Sequence, residues 1–454
     1  MGWVWVLNGL LLFFGGSVFA EANPLDGRPP YGTDTTSPRP AAQGPTPPSV
    51  SDSEAVVCDV SPTGSPPSRV LTLAEALDLA LRQNGSLRVR QTEVEAARGR
   101  ARQMSAPPNP EVTTELFTVQ ERVLGLQQPI RWPAQTQALR RLGELNVEEA
   151  VADYRLSQRE LIRDVRLQFI EALALRDRIA VLAESLRMAR EVQATAEARL
   201  RQGFGSLEEV ARAAIEVGRI RTQCAVLRGA LGVRLADLRR LIGFDGDVDV
   251  TGDLATLARE FGTFSENPAE AVETHPWVAQ SRIQEALWEA QGALERGYRR
   301  PVLALGPAVG FFEGGRVSPG FVVSVTVPVL DRRQGSLREA AARAEAARQS
   351  AAYRRRELAL RLESQTARYR DLRRSLEVFR RDVLDPAEDL LHRSREAYLQ
   401  GRIPFVTYVD AFRTLVEVRL EALGILEELA RTAVEVQFIT EPESLGGPDG
   451  TRGP

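Results

Sequence analysis

Residues 161–200 read LIRDVRLQFIEALALRDRIAVLAESLRMAREVQATAEARL. Their apolar positions step four, three, four, three: Leu161, Val165, Ala172, Leu175, Ile179, Leu182, Leu186, Ala189, Ala196 and Leu200, with Gln168 and Gln193 as polar steps on the same seam. A period of 3.5 residues held this long means a helix packed along other helices, as in a coiled coil. From Ala134 to Gln202 there is no proline, and Gly143 is the single glycine. At about 1.5 Å of rise per residue the run is a rod of roughly 100 Å.

The rod occurs twice. At an offset of 197 residues, Leu358, Leu362, Gln365, Tyr369, Leu372, Leu376, Phe379, Val383, Pro386 and Leu390 fall on the matching seam. Pro386 predicts a kink or interruption in the last third of the second rod, because proline lacks the N–H and crowds the preceding turn. Flanking markers repeat as well. Asn84-Gly85-Ser86-Leu87 matches His275-Pro276-Trp277-Val278, Gln128-Pro129-Ile130 matches Val327-Pro328-Val329, and Gln202-Gly203 matches Gln400-Gly401. The offset grows from 191 to 199 between the first two markers, so the second strand pair is the longer one. Each half therefore reads helix, strand pair, long helix, glycine turn, returning helix. The repeats span 70–260 and 261–440, and 441–454 reads as a disordered tail.

Local signals set the ends. Thr72 with Glu75 is a capping box that opens a helix running to about Ala106, where Pro107, Pro108 and Pro110 stop it. Gly203-Phe204-Gly205 leads into Ser206, which with Glu209 forms a second capping box. The other turn is Gly401-Arg402-Ile403-Pro404, with Pro404 near the first helical position. The returning helices are expected over 206–242 and about 404–438.

The strands bear on the compartment. In 302–312 the odd positions Leu303, Leu305, Pro307, Val309 and Phe311 are bulky, while Ala304, Gly306, Ala308 and Gly310 are small. Gly314-Gly315 makes the turn, and 317–328 alternates Val317, Phe321, Val323 and Val325 with Ser318, Gly320, Ser324 and Thr326. Alternation over about ten residues per strand is the pattern of an outer-membrane barrel, and a soluble sheet with one buried face fits it equally. The first pair, about 111–116 and 123–130, is shorter, with a charged turn near Gln120-Glu121-Arg122. Open sheet edges are not tolerated in lipid, and the smallest membrane barrels have about eight strands. Four strands that insert must therefore oligomerise, and three copies give twelve.

Composition excludes several classes. All 58 cations are Arg against 61 acids, so no basic footprint for nucleic acid exists. Cys58, Cys224, His275 and His392 are too dispersed for a metal or catalytic cluster, and no nucleophile–base grouping or phosphate loop is present. Neither an enzyme, a cofactor nor a metal site is expected. No disulfide is expected between the two cysteines, because Cys58 lies in a flexible stretch. Trp3 to Phe14 is nearly all apolar and is followed by Val18 and Ala20, which reads as a signal peptide over 1–20. Its missing basic start leaves a retained signal anchor as the alternative. Residues 21–69, rich in Pro, Ser, Thr and Gly, read as a disordered leader.

The region from about 71 to 440 resembles the outer-membrane efflux protein family, the TolC-like outer-membrane factors. The resemblance rests on Val325-Thr326-Val327-Pro328-Val329-Leu330-Asp331-Arg332-Arg333-Gln334-Gly335, on Tyr398-Leu399-Gln400-Gly401 and on Tyr408-Val409-Asp410-Ala411. Their first-half counterparts are Gln127-Gln128-Pro129-Ile130 and Arg199 to Gly203 with Ser206. The strand-to-helix run looks like the heavy-metal branch of the cobalt–zinc–cadmium type. The resemblance implies a mainly α fold with a small β part: helical hairpins in a periplasmic α-barrel, and four strands given to a trimeric 12-stranded outer-membrane β-barrel. It implies a homotrimer in outer-membrane lipid, joined to a periplasmic adaptor and an inner-membrane pump driven by protons. The tips Gly203, Phe204, Gly205 and Ser206, with Gly401, Arg402, Ile403 and Pro404, are then the adaptor-contact ends. Asp410 matches an acidic residue that rings the closed aperture in relatives, and Thr407 departs from that pattern where a second acid often stands. Tyr398 matches a tyrosine that holds the closed state in some relatives, with simple packing as the other reading.

The function implied is a passive exit duct, most fittingly for heavy-metal cations. Drug efflux and type I protein secretion share such an outer component and stay open on sequence alone. A soluble periplasmic coiled-coil scaffold is the reading from another class. The second half, with the better membrane hairpin and the proline, is expected to carry the moving, gate-forming hairpin.

Overall fold

The computed structural model describes residues 69–116, 122–262, 264 and 268–441. The stretch expected to be an export signal, nearly all of the Pro-rich stretch read as a leader, most of the first strand turn and the residues beyond Glu441 lie outside the described residues. In chain order the elements are β1 (Arg69–Leu71), α1 (Leu73–Gln83), α2 (Gly85–Ser105), β2 (Glu111–Leu116), β3 (Arg122–Ile130), α3 (Pro133–Arg201), α4 (Leu207–Ile242), β4 (Val248–Val250), α5 (Leu254–Glu260), α6 (Pro268–Thr274), α7 (Pro276–Gly297), β5 (Val302–Phe312), β6 (Arg316–Thr326), α8 (Gln334–Phe379), α9 (Asp385–Leu399) and α10 (Phe405–Thr440). The repeat is explicit: α2-β2-β3-α3-α4 corresponds to α7-β5-β6-α8-α9-α10.

The first rod is unbroken over 69 residues. The second is not. Between α8 and α9, Arg380–Leu384 forms a π-helical turn, and Pro386 sits in the first turn of α9. The wider turn accommodates the N–H that proline lacks, so the predicted interruption takes the form of a π-bulge. The corresponding residue of α3 is Ala189, and that helix continues.

Each rod is twice as long as its returning helix, so a second short helix completes the pairing. The sequence reading of one helix from Leu73 to about Ala106 needs correction here. The helix ends at Gln83 and restarts at Gly85, because the Asn84 side chain caps the new start, accepting from Leu87 N at 2.9 Å. The same side chain donates to Leu241 O at the end of α4, at 2.8 Å. Gly243 follows with a left-handed φ of 68°, and a Cβ there would stand 2.7 Å from Gln83 O. Thus α4 and α2 abut end to end alongside α3. Asn84's counterpart, His275, plays the same part in the second half. It caps α7, its Nδ1 accepting from Trp277 N at 3.2 Å, and its ring meets Phe438 near the end of α10 edge-on at 5.4 Å.

The main core lies at this level. Phe169, Ile170, Leu173, Leu238, Ile242, Val250 and Leu254 are almost fully buried together. The parallel pair β1–β4 and the short helices α5 and α6 belong to this belt, and the sequence reading did not foresee them. Arg69 pairs with Val248, so ordered structure starts inside the stretch read as leader. Cys224, buried between the hairpins, is disulfide-bonded, against expectation; the other cysteine, Cys58, lies outside the described residues.

The four long strands form one antiparallel sheet in the order β2-β3-β5-β6. Register puts residues of like parity face to face: Leu303 with Val325, Leu305 with Val323, Pro307 with Phe321, Val309 with Pro319 and Phe311 with Val317. On the next strand Leu124 faces Val309 and Ile130 faces Leu303, and Val112 faces Leu126 on β2. One face of the sheet is thus largely apolar, with Thr114, Arg122 and Gln128 as its polar positions, and it is exposed: Phe321 is 81% accessible, Val112 71% and Val323 65%. The other face carries Glu111, Thr113, Glu115, Gln127, Ser318, Ser324 and Thr326 among small residues. Pro307 offers no N–H to β3, and the strands approach closely beside it. A Cβ at Gly306 would sit 1.7 Å from Leu126 O.

Two predictions follow from these contacts. Gly306→Ala should force β3 and β5 apart and lower the melting temperature of detergent-extracted protein, whereas Gly320→Ala, which meets nothing within 4 Å, should not. Burial, and next the charge of Arg159, push the His275 pKa from 6.5 down to about 3. The folded chain then binds fewer protons than the unfolded one between those values, so this contribution to stability is complete above pH 6.5 and is lost as pH falls toward 3. His275→Asn, which copies the first repeat, should flatten the pH dependence of denaturant midpoints over that window.

Candidate functional site at the hairpin tips

Both rods end the same way. At the first tip Gly203 takes φ 81°, Phe204 N donates to Arg199 O at 2.9 Å, and Gly203 N donates to Leu200 O at 3.0 Å. At the second Gly401 takes φ 71°, Arg402 N donates to Ala397 O at 2.8 Å, and Gly401 N donates to Tyr398 O at 2.9 Å. These are paired six-to-one and five-to-two bonds of the Schellman turn, which requires a left-handed residue and so selects glycine. Gly205 is held by close approach, since a Cβ would meet Leu200 N at 2.8 Å. Phe204 stands at the apex, 78% exposed, with Arg402 exposed at the other apex and Ile403 half-buried. Pro404 is the N-cap of α10, one step before the position expected for it.

Only half of the capping box at Ser206 forms among the described residues. Ser206 accepts from Glu209 N at 3.2 Å, while the Glu209 carboxylate lies beside Tyr398 across the hairpins. Tyr398 is buried to 3% exposure. It stacks on Tyr408 at 5.3 Å and 12°, meets Phe405 edge-on at 5.6 Å, and takes the Arg199 guanidinium over its ring at 4.9 Å. Burial raises the Tyr398 phenol pKa, and Glu209 raises it further; burial also raises that of Tyr408. Both are therefore neutral phenols. Arg199 and Glu209 of the first hairpin thus grip an aromatic cluster of the second. Each ring pair contributes about 0.5–1.5 kcal/mol beyond its buried area, and a cation over a ring about 0.5–2.

A second lock lies two turns higher, between α4 and α10. Arg413 binds Glu216, which is 4% exposed, at 2.6 Å, and Arg219 binds Glu417 at 3.2 Å. Glu216 and Arg413 are repeat counterparts at the offset of 197, so opposite charges at matched positions were a signal the sequence reading passed over.

Asp410 is exposed and lines a cavity of about 440 Å³ between the starts of α4 and α10, with Arg212, Arg413 and Glu208. Thr407 is exposed on the same helix and outside that lining. On the other face a cavity of about 310 Å³ runs between α3, α9 and α10, floored by Tyr398 and Tyr408 and edged by Glu191, Glu388 and His392. The structure brings Tyr398 into contact with the opposite hairpin and keeps Asp410 and Thr407 at the surface. No helix among the described residues is long and apolar enough to cross a membrane.

Comparison with known proteins agrees with this geometry. Residues 76–244 match the family model described as outer membrane efflux protein. That match covers the first rod and its returning helix, and it is a likeness to the outer membrane efflux proteins over that part of the chain. A curated relative, the cobalt-zinc-cadmium resistance protein CzcC of Cupriavidus metallidurans, is 24% identical over 380 residues, covering 81% of this chain and 90% of that protein. Among solved structures, CusC superposes with a TM-score of 0.70 at 15% identity over 84% of this chain and 95% of its own. A membrane protein from Pseudomonas aeruginosa gives 0.70 at 17% identity over 84% and 92%. The fold of this chain is therefore that of CusC and its structural likenesses.

Glu216→Gln should lower the unfolding free energy modestly, by about 1–2 kcal/mol, because Arg413 keeps partial access to water. The exchange Glu216→Arg with Arg413→Glu should recover most of that loss, which a double-mutant cycle on denaturant midpoints would measure.

Proposed function

We propose that three copies of this chain close a twelve-stranded barrel and form the exit duct of a tripartite pump for heavy-metal cations. The observation that carries the trimer is the sheet: four strands with an exposed apolar face and unpaired edges at β2 and β6. Lipid offers no partner for those edges, so a neighbouring copy must supply one. The metal reading rests on the likeness to the cobalt-zinc-cadmium resistance protein, across nine-tenths of that protein's length. Metal is cargo here, and the duct needs no site that binds it tightly.

The tips are read as the docking and gating end. The apex residues Gly203, Phe204, Gly205, Ser206, Gly401, Arg402, Ile403 and Pro404 would meet the periplasmic adaptor, and the inner-membrane pump would drive transport with protons. Tyr398, with Arg199 and Glu209, would hold the resting arrangement of the two hairpins. Asp410 would contribute the acidic ring of the aperture, with Thr407 beside it. An adaptor opens such a gate only by binding the open arrangement more tightly than the closed one.

Deleting the gene should lower tolerance to cobalt, zinc or cadmium in growth assays, and unchanged tolerance to all three with increased drug sensitivity would point to drug efflux instead. In planar bilayers Asp410→Ala should weaken block by divalent cations, and Tyr398→Ala should raise the open probability of the isolated channel. A gel of detergent extracts showing only monomer would end the duct model.

A further inference from the structure

We infer that the groove between α3 and α7, just below the sheet, binds the phosphate of an anionic phospholipid headgroup in the periplasmic leaflet. This rests on the reading that the sheet lies in the membrane.

The groove has a cavity of about 720 Å³ and is lined by Arg140, Arg141, Arg296 and Arg300. Glu144 is the one carboxylate of the lining, and Arg141 engages it at 3.5 Å and Glu148 at 3.4 Å. Among the described residues Arg140, Arg296 and Arg300 have no carboxylate partner, in a chain whose arginines are widely paired. Three guanidinium groups converge on one cavity with their charge uncompensated. Phosphate oxygens match the forked donor geometry of arginine.

Position identifies the source of the phosphate. β3 ends at Ile130 and α3 starts at Pro133, while α7 ends at Gly297 and β5 starts at Val302. The groove thus begins where strands give way to helices. Trp132, still extended with ψ 144°, keeps the parity of Leu124, Leu126 and Ile130 on the apolar face. Arg300 lies over the Trp132 ring at 5.7 Å and also lines the groove. The groove therefore opens on the lipid side, below the apolar band. Trp132 donates to Pro301 O at 2.7 Å, and Tyr298, beside it in chain order, carries Arg333 over its ring at 5.4 Å. Such an aromatic level marks the headgroup zone. Helical side chains lean toward the helix N-terminus, so Arg140 and Arg141 reach up from α3 toward the membrane. The central pair α3–α7 lies within one copy, whereas α2 and α8 flank it. Closure of a trimer through β2 and β6 leaves the groove open.

The test uses the purified full-length protein, delipidated in detergent, and native mass spectrometry of lipid retained per oligomer. Phosphatidylglycerol, phosphatidylcholine and inorganic phosphate are added in separate arms. The wild type should retain phosphatidylglycerol preferentially, and R140Q/R296Q/R300Q should lower that retention by about tenfold or more, at roughly fivefold per arginine near an anionic surface. A control, R370Q/R373Q/R374Q on the exposed face of α8, should leave it unchanged. Equal retention by wild type and the groove variant overturns the inference, as does thermal stabilisation by inorganic phosphate that matches the lipid's. Should the triple variant not assemble, R296Q alone should still show a severalfold loss, and no loss overturns the inference. Absence of the wild type from outer-membrane fractions would instead count against the membrane reading.

Discussion

A helix of 69 residues cannot bury its seam against a returning helix of 36, and the fold is a solution to that mismatch. The lower part of α3 is covered by α4 and the upper part by α2, which meet end to end at Asn84 and Gly243. Helix ends buried without partners would cost several unmade hydrogen bonds. The Asn84 side chain relieves both ends at once, capping α2 and bonding the last turn of α4. The second repeat uses His275 in the same place with aromatic packing against Phe438 in addition. The main core gathers at this junction, so the junction is the fixed belt from which sheet and tips extend in opposite directions.

The two ends differ physically. Toward the sheet, strand register carries apolar side chains to one face, and the exposed surface is stable only against lipid and further strands. Toward the tips, contacts between hairpins are few and of moderate strength: an aromatic cluster under Arg199, and charged pairs such as Glu216–Arg413. Elements that must move are drawn from regions of low local stability. The π-bulge before Pro386 interrupts the second rod at a level where the first runs on without a break. The duplicated halves are thus unequal toward the tips.

Much of this was legible in the sequence because it is written in short-range patterns. The 3.5 period defined both rods, the glycines at Gly203 and Gly401 defined both turns, and alternation in 302–326 gave the faces of the longer strand pair. Proline at Pro386 announced the interruption. What sequence reading missed depends on contacts between segments far apart. Asn84 looked like the middle of a helix, since nothing nearby shows that Leu241 will arrive beside it. Glu209 looked like half of a capping box, while Tyr398, almost two hundred residues later, sits beside its carboxylate. The strands β1 and β4, three residues each, carry no periodicity long enough to detect.

The sequence by itself determined the duplicated unit, the length of its rods, the place of its turns and the two-faced strands, because periodicity and backbone constraint act over a few residues. Only the tertiary structure decided how the halves interlock. The order β2-β3-β5-β6, the abutted helices, the grip of Arg199 and Glu209 on Tyr398, and the arginine groove beneath the sheet all require residues brought together by packing. Such meetings follow from burial and charge pairing across the whole chain, which no local pattern encodes.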